Sequence, residues 1–342
     1  MNSKCFVKSL AACALAAAAS SAFADLNPIN TWTGNVGLSV DGVGSTAAAV
    51  GDVQASIPIG ATILQAYLYS AGTPVANVPG SPTTLAAYNG AGITFAGTAI
   101  NDFNTLVGAT SPRSDIGRFY TARADVTSLV QSMTSGAATS SFSWAVNEGN
   151  LSSVIDGEVL AIVYSSPSQV PGSVVLLDGG QNTGGETTIV NFAGPISDPS
   201  APGFAMQLGL GISFSCCGQA STVDINGSTL TTFAGNNDDG AQVANGSLIT
   251  VGGLGDTPLN NPPSYDADHE LYNLAPFLHT GDTSFSIFTQ NPTNDDNIFF
   301  ASLYSTAQIS VGPPPIPEPE TYALMLAGLG VLGVVARRRR SS

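Results

Sequence analysis

ATILQAYLYSAG, residues 61–72, alternates with a period of two. A strand turns successive side chains to opposite faces, so Ile63, Tyr67 and Tyr69 share one face and Leu64, Ala66 and Leu68 the other. Both faces are largely apolar. Such a strand has to be covered on both sides, which places it at the centre of a sandwich. GEVLAIVYSS (157–166) and GSVVLLDGG (172–180) read the same way, and FAMQLGLGISF (204–214) is a further candidate. STVDINGSTLTTF (221–233) reads as a hairpin with Asn226-Gly227 at its tip, a pair that tolerates the positive φ of a type I′ turn. TSFSIFTQN and NIFFASLYSTAQISV supply the last strands, ending at Val311.

Two helical turns interrupt this pattern. In ADVTSLVQSM, Asp125 can cap a turn whose Val126, Leu129, Val130 and Met133 recur at helical spacing. In DADHELYNLAPFL, Asp268 can do the same before Pro276 stops the turn. Many short strands, Gly/Asn/Pro turns and no β-α alternation predict an all-β fold, a jelly-roll-like β-sandwich over residues 25–311. AGPISDPSAPG (193–203) is either a boundary between two domains or a long loop within one. GPPPIPEP (312–319) opens a proline-rich linker, 312–321, because proline favours extended backbone and lacks the strand amide.

Charge narrows the function. Of 24 acids, 22 lie in the body, against Arg113, Arg118 and Arg123, a net charge of −19. Such a surface repels nucleic acid and anionic lipid, and suits an exported, cation-binding role. Lysine is absent from the body, so wet faces rely on Thr, Ser and Asn, which again favours strands and loops. At the N-terminus, Lys4 and Lys8 precede an apolar run, and Ala22 and Ala24 frame an A-x-A cleavage site. Residues 1–24 therefore read as a signal peptide. Cys216 and Cys217 are adjacent, which strains any disulfide between them.

Catalytic motifs are missing: there is no GxSxG elbow, HExxH or Walker loop, and the two histidines are His269 and His279. A non-enzyme is expected. Acidic loops are better supplied. NNDDG, YDADHE and TNDDN offer Asp238, Asp239, Asp266, Asp268, Asp295 and Asp296 as oxygen ligands for structural Ca²⁺. The same residue types also make turns by bonding their own backbone. Trp32, Trp144, Tyr88 and Tyr265 are the aromatic candidates for carbohydrate contact.

The tail is the most specific segment. Pro317-Glu318-Pro319 is followed by a fifteen-residue apolar run, 322–336, and then by Arg337, Arg338, Arg339 and Arg340. As a helix the run spans about 22 Å, short of a hydrocarbon core of about 30 Å. The arginines would hold its end in the cytoplasm as a stop-transfer signal. In all three parts and in order, this tail resembles the PEP-CTERM sorting signal of exopolysaccharide-producing Gram-negative bacteria. The resemblance implies processing by an exosortase, passage through the inner membrane on residues 322–336, and delivery to the outer surface or extracellular matrix. RFYTARADVTSLV and DDNIFFASL resemble stretches of bacterial surface proteins. The expected role is a non-catalytic structural or adhesion module of an exopolysaccharide or biofilm envelope. The alternative is a carbohydrate-active protein that binds or hydrolyses exopolysaccharide.

Overall fold

The computed structural model describes residues 26–44, 49–72, 84–108, 120–182, 184–214, 221–235, 249–258, 270–293 and 296–312. Its strands are β1 (Asn27–Gly34), β2 (Val36–Val43), β3 (Val50–Ser56), β4 (Thr62–Gly72), β5 (Thr94–Phe95), β6 (Thr98–Ala99), β7 (Thr105–Gly108), β8 (Tyr120–Asp125), β9 (Ser141–Asn147) and β10 (Ile155–Ser165). They continue with β11 (Gly172–Asp178), β12 (Glu186–Phe192), β13 (Met206–Ser213), β14 (Ser221–Ile225), β15 (Ser228–Ala234), β16 (Ile249–Val251), β17 (Leu271–Asn273), β18 (Ser284–Gln290), β19 (Asn297–Ser305) and β20 (Ile309–Val311). Helices α1 (Leu85–Asn89) and α2 (Thr127–Thr134) are short.

The strands form four antiparallel sheets stacked as layers. One inner sheet runs β2-β10-β4-β8-β7, and the other runs β1-β11-β19-β13-β16 with β17 also on β13. The outer sheets are β3-β9-β5-β6 and β15-β14-β18-β12-β20. Three apolar cores separate the layers. Leu68, Ala122, Leu160 and Ile162 pack against Val53, Phe95 and Val146 of the first outer sheet. Val175, Leu208, Leu210 and Leu303 pack against Val190, Val223, Leu230 and Ile287 of the second. Between the inner sheets lie Val40, Tyr69, Val159, Val163, Val174, Leu176, Phe299 and Phe300. Two sandwiches are therefore pressed together through their inner sheets. This is why β10 and β11 are buried almost end to end.

The sandwiches exchange chain twice. β1 leaves the first to pair with β11 of the second, and residues 166–171 carry the chain across again. The two crossings are tied together: Ser166 N–H donates to Asn35 O at 2.9 Å, and Asn35 Nδ2 donates to Gln169 O at 2.5 Å. Residues 193–203 form a loop on the second sandwich, with Ile196 buried in its core.

Local details refine the sequence reading. β4 does have two apolar faces, but a bulge opposite Val163/Tyr164 reverses its first residues. Ile63 therefore joins Ala66 and Leu68, while Leu64 packs with Tyr67 and Tyr69. The Asn226-Gly227 turn forms as read, with φ of 52° and 76°. α2 buries Val130, Val126 is buried at its N-cap, and Asp125 Oδ1 accepts the Thr127 N–H at 2.9 Å. The second helical turn is shorter than expected. Leu271–Asn273 is pulled into β17 by pairing with β13, and only Ala275–Phe277 is helical.

One ionic contact crosses the middle core. Arg123 is the only Lys or Arg among the described residues. From β8 its guanidinium reaches Asp178 at the end of β11, donates to Thr105 Oγ1 at 3.0 Å, and lies 4.8 Å from the centre of the Tyr67 ring. Tyr69 OH lies 3.4 Å from the same Asp178 oxygen. Burial lifts the Asp178 carboxyl above its usual range, against the pull of Arg123. Removing one partner strands the other in a desolvated site. Asp178→Ala should lower unfolding free energy by about 3 kcal/mol in urea titration, and Arg123→Met with Asp178→Leu should recover most of it. A loss below about 0.5 kcal/mol for Asp178→Ala would show the pair to behave as a surface contact.

Candidate functional site

A groove of 410 Å³ opens where the edge of β2 meets β13, β19 and the loop 252–256. The loop is stitched to both inner sheets. Gly252 N–H donates to Leu210 O at 2.9 Å, and Leu254 N–H donates to Val40 O at 2.7 Å. Asp256 closes the turn by accepting Gly253 N–H at 2.8 Å. Gly253 is required there, since a Cβ would lie 2.1 Å from Val40 O.

Polar side chains of both sandwiches line the groove: Ser39, Tyr164 and Gln169 from one side of the seam, Gln207, Ser302 and Tyr304 from the other. Gln169 Nε2 donates to Tyr164 OH at 3.4 Å. Burial raises both phenols above their ordinary pKa, and Tyr304 adds to the shift of Tyr164. At the rim, burial pushes Asp41 up to about 6, with Asp256 adding to the rise.

Two sets of buried carboxylates lie elsewhere. Glu148, Asp156 and Glu158 are sealed between the first outer sheet and its inner neighbour. Ser70 Oγ donates to Glu158 Oε1 at 3.2 Å, while Glu148 Oε2 has no hydrogen-bond partner among the described residues. Burial, followed by repulsion from Glu158 and Asp156, pushes Glu148 up to about 9, and burial pushes Glu158 up to about 8. The second set is Glu270 and Asp296, both beside Gly235. Glu270 Oε1 accepts Gly235 N–H at 2.8 Å, and a Cβ on Gly235 would lie 2.7 Å from Asp296 Oδ2. Glu270 also accepts from Thr250 Oγ1, and Asp296 from Ser221 Oγ and Asn291 Nδ2.

Of the six expected calcium ligands, Asp296 alone is among the described residues, where it is 5% exposed. Asp238, Asp239, Asp266, Asp268 and Asp295 lie outside them, as do His269, Cys216, Cys217, Tyr265, Ala22, Ala24, Pro317, Glu318, Pro319 and Arg337 to Arg340. Among the described residues no group of three His, Cys, Asp or Glu is placed to hold a metal ion. The described residues that flank the acidic stretches nevertheless meet: Gly235, Glu270 and Asp296 come together. The aromatic candidates among the described residues went to packing. Tyr88 is fully buried, with its hydroxyl donating to Tyr120 O at 2.9 Å, and Trp144 stacks on Phe142 at 5.2 Å. Trp32 packs against the middle core. Sequence reading missed Tyr164 and Tyr304, whose strand context marks them as core residues. It also missed Glu148 and Glu158, whose burial follows only from the layer stacked over them.

The comparisons bear on the tail. Residues 315–340 match the PEP-CTERM protein-sorting motif. This chain carries that sorting signal. The signal implies export, transient processing at the membrane by an exosortase, and passage to the cell surface. Among the described residues no helix is long and apolar enough to cross a membrane, and the apolar run 322–336 lies outside them. No curated protein matches the chain. One similar solved structure is the crystal structure of BuGH86wt in complex with neoagarooctaose, at 9% identity and a TM-score of 0.18. The match spans 84% of this chain and 35% of that one, and at that score it carries no weight for fold or activity.

The sealed carboxyls have a pH signature. In the fold Glu148 and Glu158 hold their protons at neutral pH, whereas in the unfolded chain they ionise near 4.5. Their stabilisation is complete below 4.5 and is lost as pH rises through 8 to 9, by up to about 1.4 kcal/mol per pH unit per group. The melting temperature should fall from pH 5 to pH 9, and Glu148→Gln should flatten that fall. Parallel slopes for variant and wild type between pH 7 and pH 9 would refute the assignment.

Proposed function

We propose that the mature protein is a non-catalytic structural or adhesion module of the outer cell surface, delivered there by its sorting signal. The match of residues 315–340 carries the delivery, and the build of the body supports the role. Four layers with three separate cores make a rigid block, and a net charge of −15 on the whole chain keeps such blocks apart in solution. Exopolysaccharide is the matrix such a block would occupy. Replacing Pro317, Glu318 and Pro319 by alanine, or deleting Arg337 to Arg340, should leave unprocessed chain in the membrane fraction and deplete the surface fraction. Unchanged size and surface delivery would remove the reading.

Calcium belongs to the same proposal. Glu270 and Asp296 meet beside Gly235, and three Asp-rich stretches adjoin that meeting point in the sequence. Ca²⁺ would find carboxylates, amides and carbonyls there and would stiffen the loops. An ion held at a hundred times its Kd contributes about 2.7 kcal/mol, so EDTA should lower the melting temperature by about 5 °C and excess Ca²⁺ should restore it. A melting temperature unmoved by EDTA would remove calcium from the account. The second reading, a carbohydrate-active protein, is favoured by the groove at the seam.

A further inference from the structure

We infer that the seam groove is a binding site for a neutral oligosaccharide. The inference deepens the surface-module reading and rests on it. The size is that of a ligand site: 410 Å³ falls within the ~300 to 1,000 Å³ typical of small-molecule clefts. The lining supplies the chemistry. Gln207 stands opposite Tyr304, and Gly209 opposite Ser302, on paired positions of β13 and β19. The Gln207 amide and the Ser302 and Tyr304 hydroxyls make no hydrogen bond to another described residue. These three side chains therefore bring donors and acceptors to the groove that no described residue satisfies. Amides and hydroxyls beside two tyrosine rings match a ligand whose edges are hydroxyls and whose faces are C–H. Gly209 keeps the floor open to it: a Cβ there would lie 2.7 Å from Ser302 Oγ.

Charge and backbone exclude the main competitors. Among the described residues no Lys or Arg lines the groove, and Asp256 stands in its wall with Asp41 nearby, so an anionic ligand would meet like charge there. A peptide adding a strand to β2 would need a free edge. That edge is obstructed: Val40 O already accepts Leu254 N–H, and β3 lies against it, with Ser39 Oγ accepting Ser56 N–H at 3.0 Å and an Asp41 carboxylate oxygen accepting Gln54 N–H. A wholly apolar ligand would leave the unpaired amide and hydroxyls desolvated, which costs about 1 to 3 kcal/mol for each.

The test is an array of neutral and uronate-containing oligosaccharides, probed with the full chain in mild detergent, with hits titrated by calorimetry. Neutral glycans should bind and uronates should not. Tyr304→Phe, which removes one hydroxyl and keeps the ring, and Gln207→Ala should each weaken binding fivefold or more. Both should melt like wild type, and Thr232→Ala on an outer strand should bind like wild type. The inference is overturned if no neutral glycan binds, if uronates bind more tightly, or if both groove variants bind as wild type does. Should Tyr304→Phe melt early, Gln207→Ala, a truncation at a half-exposed position, decides the outcome. Surface delivery is read by cell fractionation, so failure on the array and failure of delivery are distinguishable.

Discussion

A sheet that is apolar on both faces has to be covered twice, and most of this structure follows from that constraint. β4, β10, β11 and β19 present apolar side chains alternately to two sides. One partner sheet can cover only one side. The first sandwich satisfies the outer faces of β4 and β10 with Val53, Phe95 and Val146, and the second satisfies those of β11 and β19 with Val190, Val223 and Ile287. The remaining faces, carrying Tyr69, Val159, Val174 and Phe300, can only turn toward each other. A bulge between β13 and β19 sends both Phe299 and Phe300 into this middle layer, where their rings lie 6.1 and 5.2 Å from that of Tyr69.

The same stacking makes the electrostatics unusual. A body with few cations cannot neutralise its carboxylates by pairing, so each buried one needs another remedy. Asp178 receives Arg123. Glu148 and Glu158 stay protonated. Asp296 is held by hydroxyl and amide donors. A charge left unpaired in a low-dielectric layer would cost far more than any of these arrangements. The acidity of the chain and its buried acids are thus separate matters: the first concerns the solvated surface, the second the way four layers close over a few positions.

The fold was legible where periodicity is strong. The alternation of residues 61–72 pointed to a strand covered on both sides, and Asn226-Gly227 pointed to its hairpin. What the alternation could not show was the bulge that turns Ile63 over, because Ile63 and Leu64 are both apolar and suit either of two apolar faces. The two-sandwich stack was also hidden. A strand buried on both faces reads identically whether its second cover is a layer of the same sandwich or a second sandwich. The site was less legible still. Asp296 was readable from an acidic stretch, but Glu270 depends on a φ of 53° that brings its carboxylate beside Gly235. The groove draws on residues from position 37 to position 304, so no local window contains it.

That distance along the chain explains why the groove sits where it does. Within either sandwich, facing side chains interdigitate and exclude water, and a cleft there would forfeit packing. At the seam the two sandwiches are joined by the crossings near Asn35 and Ser166, and the groove lies beside the apolar middle layer. One wall of the groove is the loop 252–256, held by backbone hydrogen bonds to Leu210 and Val40. Glycine at 252 and 253 lets that loop pass close to the strands, so the space left over is bounded by amides, hydroxyls and two phenols. The sorting tail and the groove are therefore independent features of one chain. The tail is a linear signal written in the sequence of residues 315–340, whereas the groove exists only once all four layers are in place.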